Sequence, residues 1–534
     1  MIETVTLVLP QTVLGLLACL FILGASFGSI PRGSWNSWAL VGLVAAGCAL
    51  HFMSDAVPLA GTTAVAVDSL SRGFQWGCLI IGALFVLMAR GSQAKSETAA
   101  EFHALVLLVI CGMMLVSAAN ELILLFLGLE LVSIPTYVLL YLDRRDYAAQ
   151  EATTKYFLLS ILSAALLLYG FAFVYGLTGT THLSVARGIL TDAYAVAPGL
   201  PPTGGSVLGV VALVLIFAGL GFKVAAVPFH FYAPDVYQGT TPFNAGLLAV
   251  APKAAGFVAM IRVLSETMVG FEVPAERVAI ILAMITMSGG NVLALLQTNV
   301  RRLLAYSSIA HAGYMLIGIA VGFWEAWNPQ RSLGGETGLP GGISATLFYL
   351  FVYSLASVGL FAVLIYLPRP GRQVEHIDDL TGLGRTQPML AIAAALFLFS
   401  LAGIPPLPGF WGKLSLFMGA LNVRSATDTL HYGFLALAIV GAINAAIGAA
   451  YYLRLVAIMF LQDPISVPQP SGGKPAFAAV LLAAALSLAL SWPKPLLSYV
   501  NQFGQHAEGN TAAADASPLN IKQYNTVLKN SQSP

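Results

Sequence analysis

The chain has 534 residues, of which 58% are hydrophobic and only 9% charged, with a net charge of +1 and a mean hydropathy of +0.82. Soluble chains normally carry about 25% charged residues, so a soluble protein of this size is excluded, and so is a basic nucleic-acid binder. The apolar residues run for about 18 or more positions at a time, enough to cross a hydrocarbon layer of roughly 30 Å. The expected fold is all-α, a polytopic membrane helix bundle.

Taken in chain order, about fourteen spans are predicted by the ~20-residue criterion. They lie near 5–30, 36–53, 74–90, 103–119, 121–142, 154–177, 206–228, 240–263, 274–297, 303–323, 343–367, 388–423, 431–461 and 475–498. No basic segment precedes the apolar run that starts at Val5, and further spans follow directly, so this run reads as a first transmembrane helix rather than a cleaved signal. The 206–228 span is interrupted at Pro228 and again at Pro234. The 388–423 stretch is too long for one straight span and contains the break Ile404-Pro405-Pro406-Leu407-Pro408-Gly409. Residues 501–534 are rich in Ala, Asn, Gln and Ser and read as a polar, disordered tail. The four cysteines, Cys19, Cys48, Cys78 and Cys111, sit in apolar stretches with no CxxC spacing, so no zinc or iron–sulfur site is expected in this chain.

Loop charge supplies an orientation. Loops after the odd spans hold roughly eleven basic residues (Arg32, Arg90, Lys95, Arg144, Arg145, Arg301, Arg302, Arg369, Arg372, Arg385 and Lys474) against about six after the even spans, among them Arg72, Arg187 and Arg277. By the positive-inside rule the odd loops are cytoplasmic and both termini lie on the other side.

Several ionisable residues lie inside these apolar runs, where a charge at the helix centre costs roughly 2.5–3.5 kcal/mol on insertion scales. Glu130 sits in LLFLGLELVSIPTYVLL, Lys223 in LIFAGLGFKVAAVPFHF and Lys253 in AGLLAVAPKAAGFVAM. His311 lies in YSSIAHAGYMLIG, and Lys413 follows the proline break in GIPPLPGFWGKLSLF. Lys155, in EATTKYFLLS, is nearer a membrane edge, where its ammonium could snorkel to the headgroups. His311 could be a satisfied core histidine, and Glu130 with Lys223 could form a structural ion pair, although such a pair adds little over an apolar one. Intramembrane ionisable groups mark ion pathways by default. Burial favours the neutral amine of a lysine and an approaching carboxylate favours the ammonium, so a row of lysines steered by Glu130 can relay protons.

The breaks fit that chemistry. Pro228 lies five residues after Lys223 and Pro408 five before Lys413, and each proline frees a backbone carbonyl that needs a polar partner. Discontinuous helices at matching places in two halves point to the ion site of inverted-repeat transporters. The halves would be 103–263 and 274–461, after N-terminal helices in 1–102 and before a last transmembrane helix in 462–500.

At these residues the chain resembles a known family. GLELVSIPTYVLLYL, QEATTKYFLLSILSAALLLYGFAFVYGLTG, FKVAAVPFHFYAPDVYQG with APKAAGF, NVRRLLAYSSIAHAGYMLIG and LAGIPPLPGFWGKL are similar, in the same order, to the antiporter-like membrane subunits of respiratory complex I, over about 110–460. PDVYQG, APKAA and GIPPLPGFWGKL look most like the subunit N type of NADH:quinone oxidoreductase. Subunit M-like chains carry a carboxylate where Lys413 stands, and subunit L-like chains run on into a long lateral helix.

The resemblance implies a proton-translocating subunit in which Glu130 tunes Lys223, and Lys253 connects through His311 to Lys413, with Lys155 matching a further family lysine. It also implies partner subunits that hold NADH, flavin, iron–sulfur clusters and quinone, a hetero-oligomer, and an inner (plasma) membrane location. Two departures touch the lining of the first break: Tyr232 replaces the usual Trp two residues after the histidine of PFH, and an APTPVTA-like stretch reads Gly239-Thr240-Thr241-Pro242-Phe243-Asn244-Ala245. The alternatives are a subunit of a multi-subunit cation/proton antiporter and an inactive scaffold bundle.

Overall fold

Hydrocarbon offers no hydrogen bonds, so a chain this apolar must satisfy its backbone within helices. The computed structural model shows that outcome: it describes residues 6–27, 32–53, 63–93, 98–142, 146–194, 206–267, 270–327, 340–367, 374–423, 428–464, 473–492 and 496–497. The expected polar tail, 501–534, lies outside the described residues.

Eighteen α-helices make up the described bundle. They are α1 (Leu9–Phe27), α2 (Arg32–Phe52), α3 (Ser69–Gln93), α4 (Ala99–Ala118), α5 (Leu122–Leu142) and α6 (Tyr147–Thr178). After them come the short α7 (Leu183–Tyr194), then α8 (Val207–Val224), α9 (Tyr232–Gly239), α10 (Pro242–Thr267), α11 (Glu272–Leu295) and α12 (Val300–Trp327). The remainder are α13 (Gly342–Tyr366), the single turn α14 (Leu383–Thr386), α15 (Pro388–Ala402), α16 (Pro408–Leu421), α17 (Asp428–Leu461) and α18 (Gly473–Ala489). Twelve of them are long and apolar enough to cross a membrane. With α18 and the interrupted pair α15–α16 they account for the fourteen expected spans.

Both interruptions have the same backbone form. At the end of α8, Ala225 turns left-handed at φ 59°, its N–H bonds to the Phe222 carbonyl (3.0 Å), and the Ala226 N–H reaches back to the Gly221 carbonyl (2.8 Å). At the end of α15, Gly403 turns at φ 86°, its N–H bonds to the Ser400 carbonyl (3.0 Å), and the Ile404 N–H reaches the Phe399 carbonyl (3.0 Å). This is the Schellman closure of a helix. Glycine adopts it freely, whereas alanine in that region is held at a cost of about 1–2 kcal/mol. Ala225 is the one non-glycine residue with positive φ among the described residues.

The expectation of a second interruption at Pro234 is corrected. Pro234 stands in the first turn of α9, where a helix has no N–H bond to lose and proline's fixed φ suits it. One break, at 225–231, separates α8 from α9.

Glycines bring two helix pairs together at backbone distance. A side chain at Gly112 of α4 would lie 2.9 Å from the Leu131 carbonyl carbon of α5, and one at Gly290 of α11 would lie 2.6 Å from the Ala310 nitrogen of α12. Small residues at such crossings allow the dispersion contacts that drive association in lipid. The central helices α10, α12 and α13 are almost fully enclosed by the others, so the ionisable residues they carry face protein rather than lipid. Replacing Gly290 by leucine should overpack the α11–α12 crossing, at about 1–3 kcal/mol or more. The check is thermal unfolding of the detergent-purified protein, where a transition unchanged from the parent would contradict the close approach.

Candidate functional site

Lys223 lies in the last turn of α8, just before the Ala225 closure, with its side chain 2% exposed. Its ammonium is 3.3 Å from Glu130 Oε1 and donates to Ser133 Oγ at 2.7 Å and to Ser160 Oγ at 3.3 Å. Glu130 and Ser133 are one turn apart on α5, and Ser160 comes from α6. The Tyr137 hydroxyl completes the shell, donating to Ser160 Oγ at 2.5 Å. Three acceptors around one buried ammonium offset its desolvation, which a lone Coulomb partner seldom does. The position at the carbonyl end of α8 adds to this through the helix dipole.

Lys253 lies on α10 directly after Pro252, inside the helix. Gly256, one turn on, packs against Lys223: a side chain there would meet Lys223 Cβ at 3.2 Å. The two lysines therefore occupy neighbouring faces at the centre of the bundle. The Lys253 ammonium donates to the Ser308 carbonyl of α12 at 2.5 Å. On the same residue, Ser308 Oγ is 2.8 Å from the Tyr353 hydroxyl and 3.3 Å from that of Tyr237.

His311 follows Ser308 on α12 and is held between two tyrosines. Its Nδ1 is 2.6 Å from the Tyr349 hydroxyl and its Nε2 is 2.8 Å from the Tyr452 hydroxyl, while the Tyr353 ring centroid lies 5.0 Å away. Tyr452 also hydrogen-bonds Ser307 Oγ. A neutral imidazole has one donor and one acceptor nitrogen, and a hydroxyl can meet either. The bracket thus accommodates both tautomers without moving the ring.

Lys413, on α16 past the second break, donates to the Leu401 and Ala402 carbonyls at 2.8 and 3.0 Å. These are among the orphan carbonyls at the end of α15, where a cation is favoured by the dipole. Its ammonium also stands 4.8 Å above the Tyr314 ring, within cation–π range. The Tyr314 hydroxyl accepts from Asn291 Nδ2 (3.2 Å), which in turn meets Asn444 Oδ1 (3.2 Å), so α11 and α17 fix the ring beneath Lys413. Tyr349 packs on Gly412, which joins the His311 bracket to the α16 lysine.

The structure brings Glu130, Lys223, Lys253, His311 and Lys413 into one row through the centre of the bundle. It does not bring Lys155 into that row. The Lys155 side chain is 40% exposed and pairs with Glu151 at 2.7 Å and Asp235 at 2.8 Å. Asp235 pairs further with Arg302 at 2.7 Å. Sequence reasoning missed the hydroxyls of Tyr237, Tyr349, Tyr353 and Tyr452 and the serines at 133, 160, 307 and 308. A lone tyrosine in an apolar run looks like any core aromatic, and the one available signal was several of them at helical spacing beside a charged residue. The buried Arg262, which clasps both carboxylate oxygens of Asp68 at 2.6 Å and the Ser117 carbonyl, was also unforeseen. It ties α10 to α4 and to the segment entering α3.

An enclosed helix bundle with two interrupted helices and a central row of lysines defines a membrane subunit of the antiporter-like class. The signature of the NADH:quinone oxidoreductase/Mrp antiporter transmembrane family matches residues 119–331 and 333–441. Within that class, the chain belongs to the NADH-quinone oxidoreductase subunit N family. It is 35% identical to NADH-quinone oxidoreductase subunit N of Trichlorobacter lovleyi over 94% of this chain and 96% of the relative. A chain of respiratory complex I from Thermus thermophilus with bound aureothin superposes with a TM-score of 0.72 and 32% identity, covering 92% of this chain and 98% of that one. A chain of the Mrp complex from Dietzia sp. DQ12-45-1b shares the fold, with a TM-score of 0.79 at 21% identity over 97% of this chain and 99% of that one.

Because Lys155 is half-exposed, its two ion pairs contribute about 1 kcal/mol or less. Lys155→Ala is expected to reach the membrane in normal amount and to unfold within a few degrees of the parent. Loss of the protein from the membrane fraction would contradict that assignment.

Proposed function

We propose that this chain is a proton-translocating membrane-arm subunit of an NADH:quinone oxidoreductase. The observation that carries this reading is the unbroken row of buried ionisable groups, each lysine bonded to neutral acceptors and only Lys223 touching a carboxylate. NADH oxidation and quinone reduction belong in this reading to partner subunits, which hold the flavin and iron–sulfur clusters, and the chain works as one member of a hetero-oligomer. The 103–263 and 274–461 stretches act as two halves, each opening with a glycine-mediated helix pair and containing one interrupted helix. The surplus of basic residues in the odd loops supports placement in the inner (plasma) membrane with both termini on the non-cytoplasmic side.

The residues themselves suggest the cycle. With Glu130 against it, the Lys223 ammonium is stabilised. When a change in the partner subunits draws Glu130 away, Lys223 loses its only counter-charge and releases its proton towards Lys253, beyond Gly256. A newly charged Lys253 raises the energy of further positive charge along the row, because like charges interact strongly where the dielectric is low. His311 can take a proton on one ring nitrogen while giving one from the other, with Tyr349 and Tyr452 adjusting their hydroxyls. Lys413, resting on the carbonyl end of α15 and the Tyr314 ring, is the last station.

An antiporter subunit shares the fold but would exchange ions without NADH-driven electron flow, and a scaffold would not need buried lysines. Inverted membrane vesicles carrying Lys223→Ala or Lys253→Ala, with the complex assembled at parent level, test the reading. NADH-driven proton uptake is expected to fall several-fold in either variant. Pumping at the parent rate in both would refute the relay.

A further inference from the structure

Outside the central row, a polar cavity of about 490 Å³ opens between α6, α9 and the start of α12. Ala148, Glu151, Ala152 and Lys155 form one wall, Asp235, Gln238 and Gly239 the second, and Asn299, Arg301 and Glu375 the third. Among these lining residues three carboxylates face two cations, so the cavity is mildly acidic. Its charges are tied across the walls: Lys155 to Asp235, Asp235 to Arg302 at the rim, and Arg301 to Glu375 at 3.4 Å. The floor is the end of α9, where the buried Arg301 hydrogen-bonds the Thr240 carbonyl. Groups of this kind, in a chain that is 9% charged, belong beside water. All three walls lie at loops following odd spans, the face the basic residues assign to the cytoplasm.

Two routes lead inward from this cavity. Along α6 the next residue after Lys155 is Tyr156, enclosed by the rings of Tyr137, Phe222 and Tyr232. That route is aromatic and blocks water. Along α9 the residue before Gln238 is Tyr237, whose hydroxyl meets Ser308 Oγ at 3.3 Å, and the Ser308 carbonyl holds the Lys253 ammonium. We propose that this cavity is a water-filled vestibule through which protons from the cytoplasmic side reach Lys253, with the Tyr237 hydroxyl as its inner end. A proton taken from vestibule water passes along hydroxyls that each accept one proton and give up their own, and it ends on the neutral Lys253 amine. No hydroxyl changes its charge. The charged walls, Lys155 included, keep the mouth hydrated and open.

This inference rests on the relay reading, and one experiment separates the two. Gln238→Cys places a thiol on the exposed wall, and a membrane-impermeant, sulfonate-bearing thiosulfonate reagent converts it to a mixed disulfide. The parent complex, with its own four cysteines, is treated in parallel. Modification is expected in inverted vesicles and not in right-side-out ones. It should slow NADH-driven proton uptake several-fold, and removing the adduct with dithiothreitol should restore the rate. If Gln238→Cys does not assemble, Ala148→Cys on the facing wall gives the same readout. Full pumping with the adduct in place, or labelling only from the opposite face, would overturn the vestibule. If at the same time Lys253→Ala pumps poorly, the relay survives that failure; if Lys253→Ala pumps normally, the relay itself has failed. Tyr237→Phe should label normally yet pump slowly, and an unchanged rate would remove Tyr237 from the path.

Discussion

The bundle is organised around the difficulty of keeping an ammonium inside hydrocarbon. Lys223 meets it with one carboxylate and two serine hydroxyls drawn from α5 and α6, at the carbonyl end of its own helix. Lys413 meets it without a carboxylate, by bonding to the carbonyls that the second break exposes and by resting on an aromatic face. Lys253 has the barest shell, a serine carbonyl. Because the shells differ, the three lysines hold a proton with different strength, and only the first can be adjusted by moving a charge. A change at Glu130 can therefore act on the whole row.

The breaks serve this arrangement rather than interrupting it. A continuous helix buries its carbonyls in its own ladder and leaves none for a lysine. The left-handed turns at Ala225 and Gly403 end α8 and α15 inside the bundle and leave carbonyl ends facing the row. The same turns make room for α9 and α16 to re-enter with new faces. One brings Tyr237 to Ser308 and the other brings Lys413 under the end of α15. Alanine in place of glycine at the first turn indicates that the surrounding contacts, and not the residue's own freedom, hold it there.

Much of this was legible in the sequence because charge in an apolar run is conspicuous. Glu130, Lys223, Lys253, His311 and Lys413 could each be picked out from their flanks, and the proline clusters located the breaks. Three things were hidden. Pro234 was read as a second interruption, since a proline gives the same local signal whether it ends a helix or opens one. Lys155 has nearly as apolar a flank as Lys253, but α6 starts at Tyr147, seven residues before the predicted span, which leaves Lys155 at the mouth of the polar cavity beside Asp235. The tyrosine and serine hydroxyls that link the row depend on partners far apart in the chain, such as Tyr452 with His311 and Tyr353 with Ser308, and no local pattern reports such a pairing.

The central claim is that Glu130 and Lys223 act as one unit, and a double-variant cycle tests it most directly. Proton pumping by the assembled complex would be measured for Glu130→Gln, Lys223→Met and the two combined. If the pair is the adjustable element, the combined variant pumps about as fast as the slower single variant, because each change removes the same interaction. If the two losses multiply, the residues act independently and the account is contradicted.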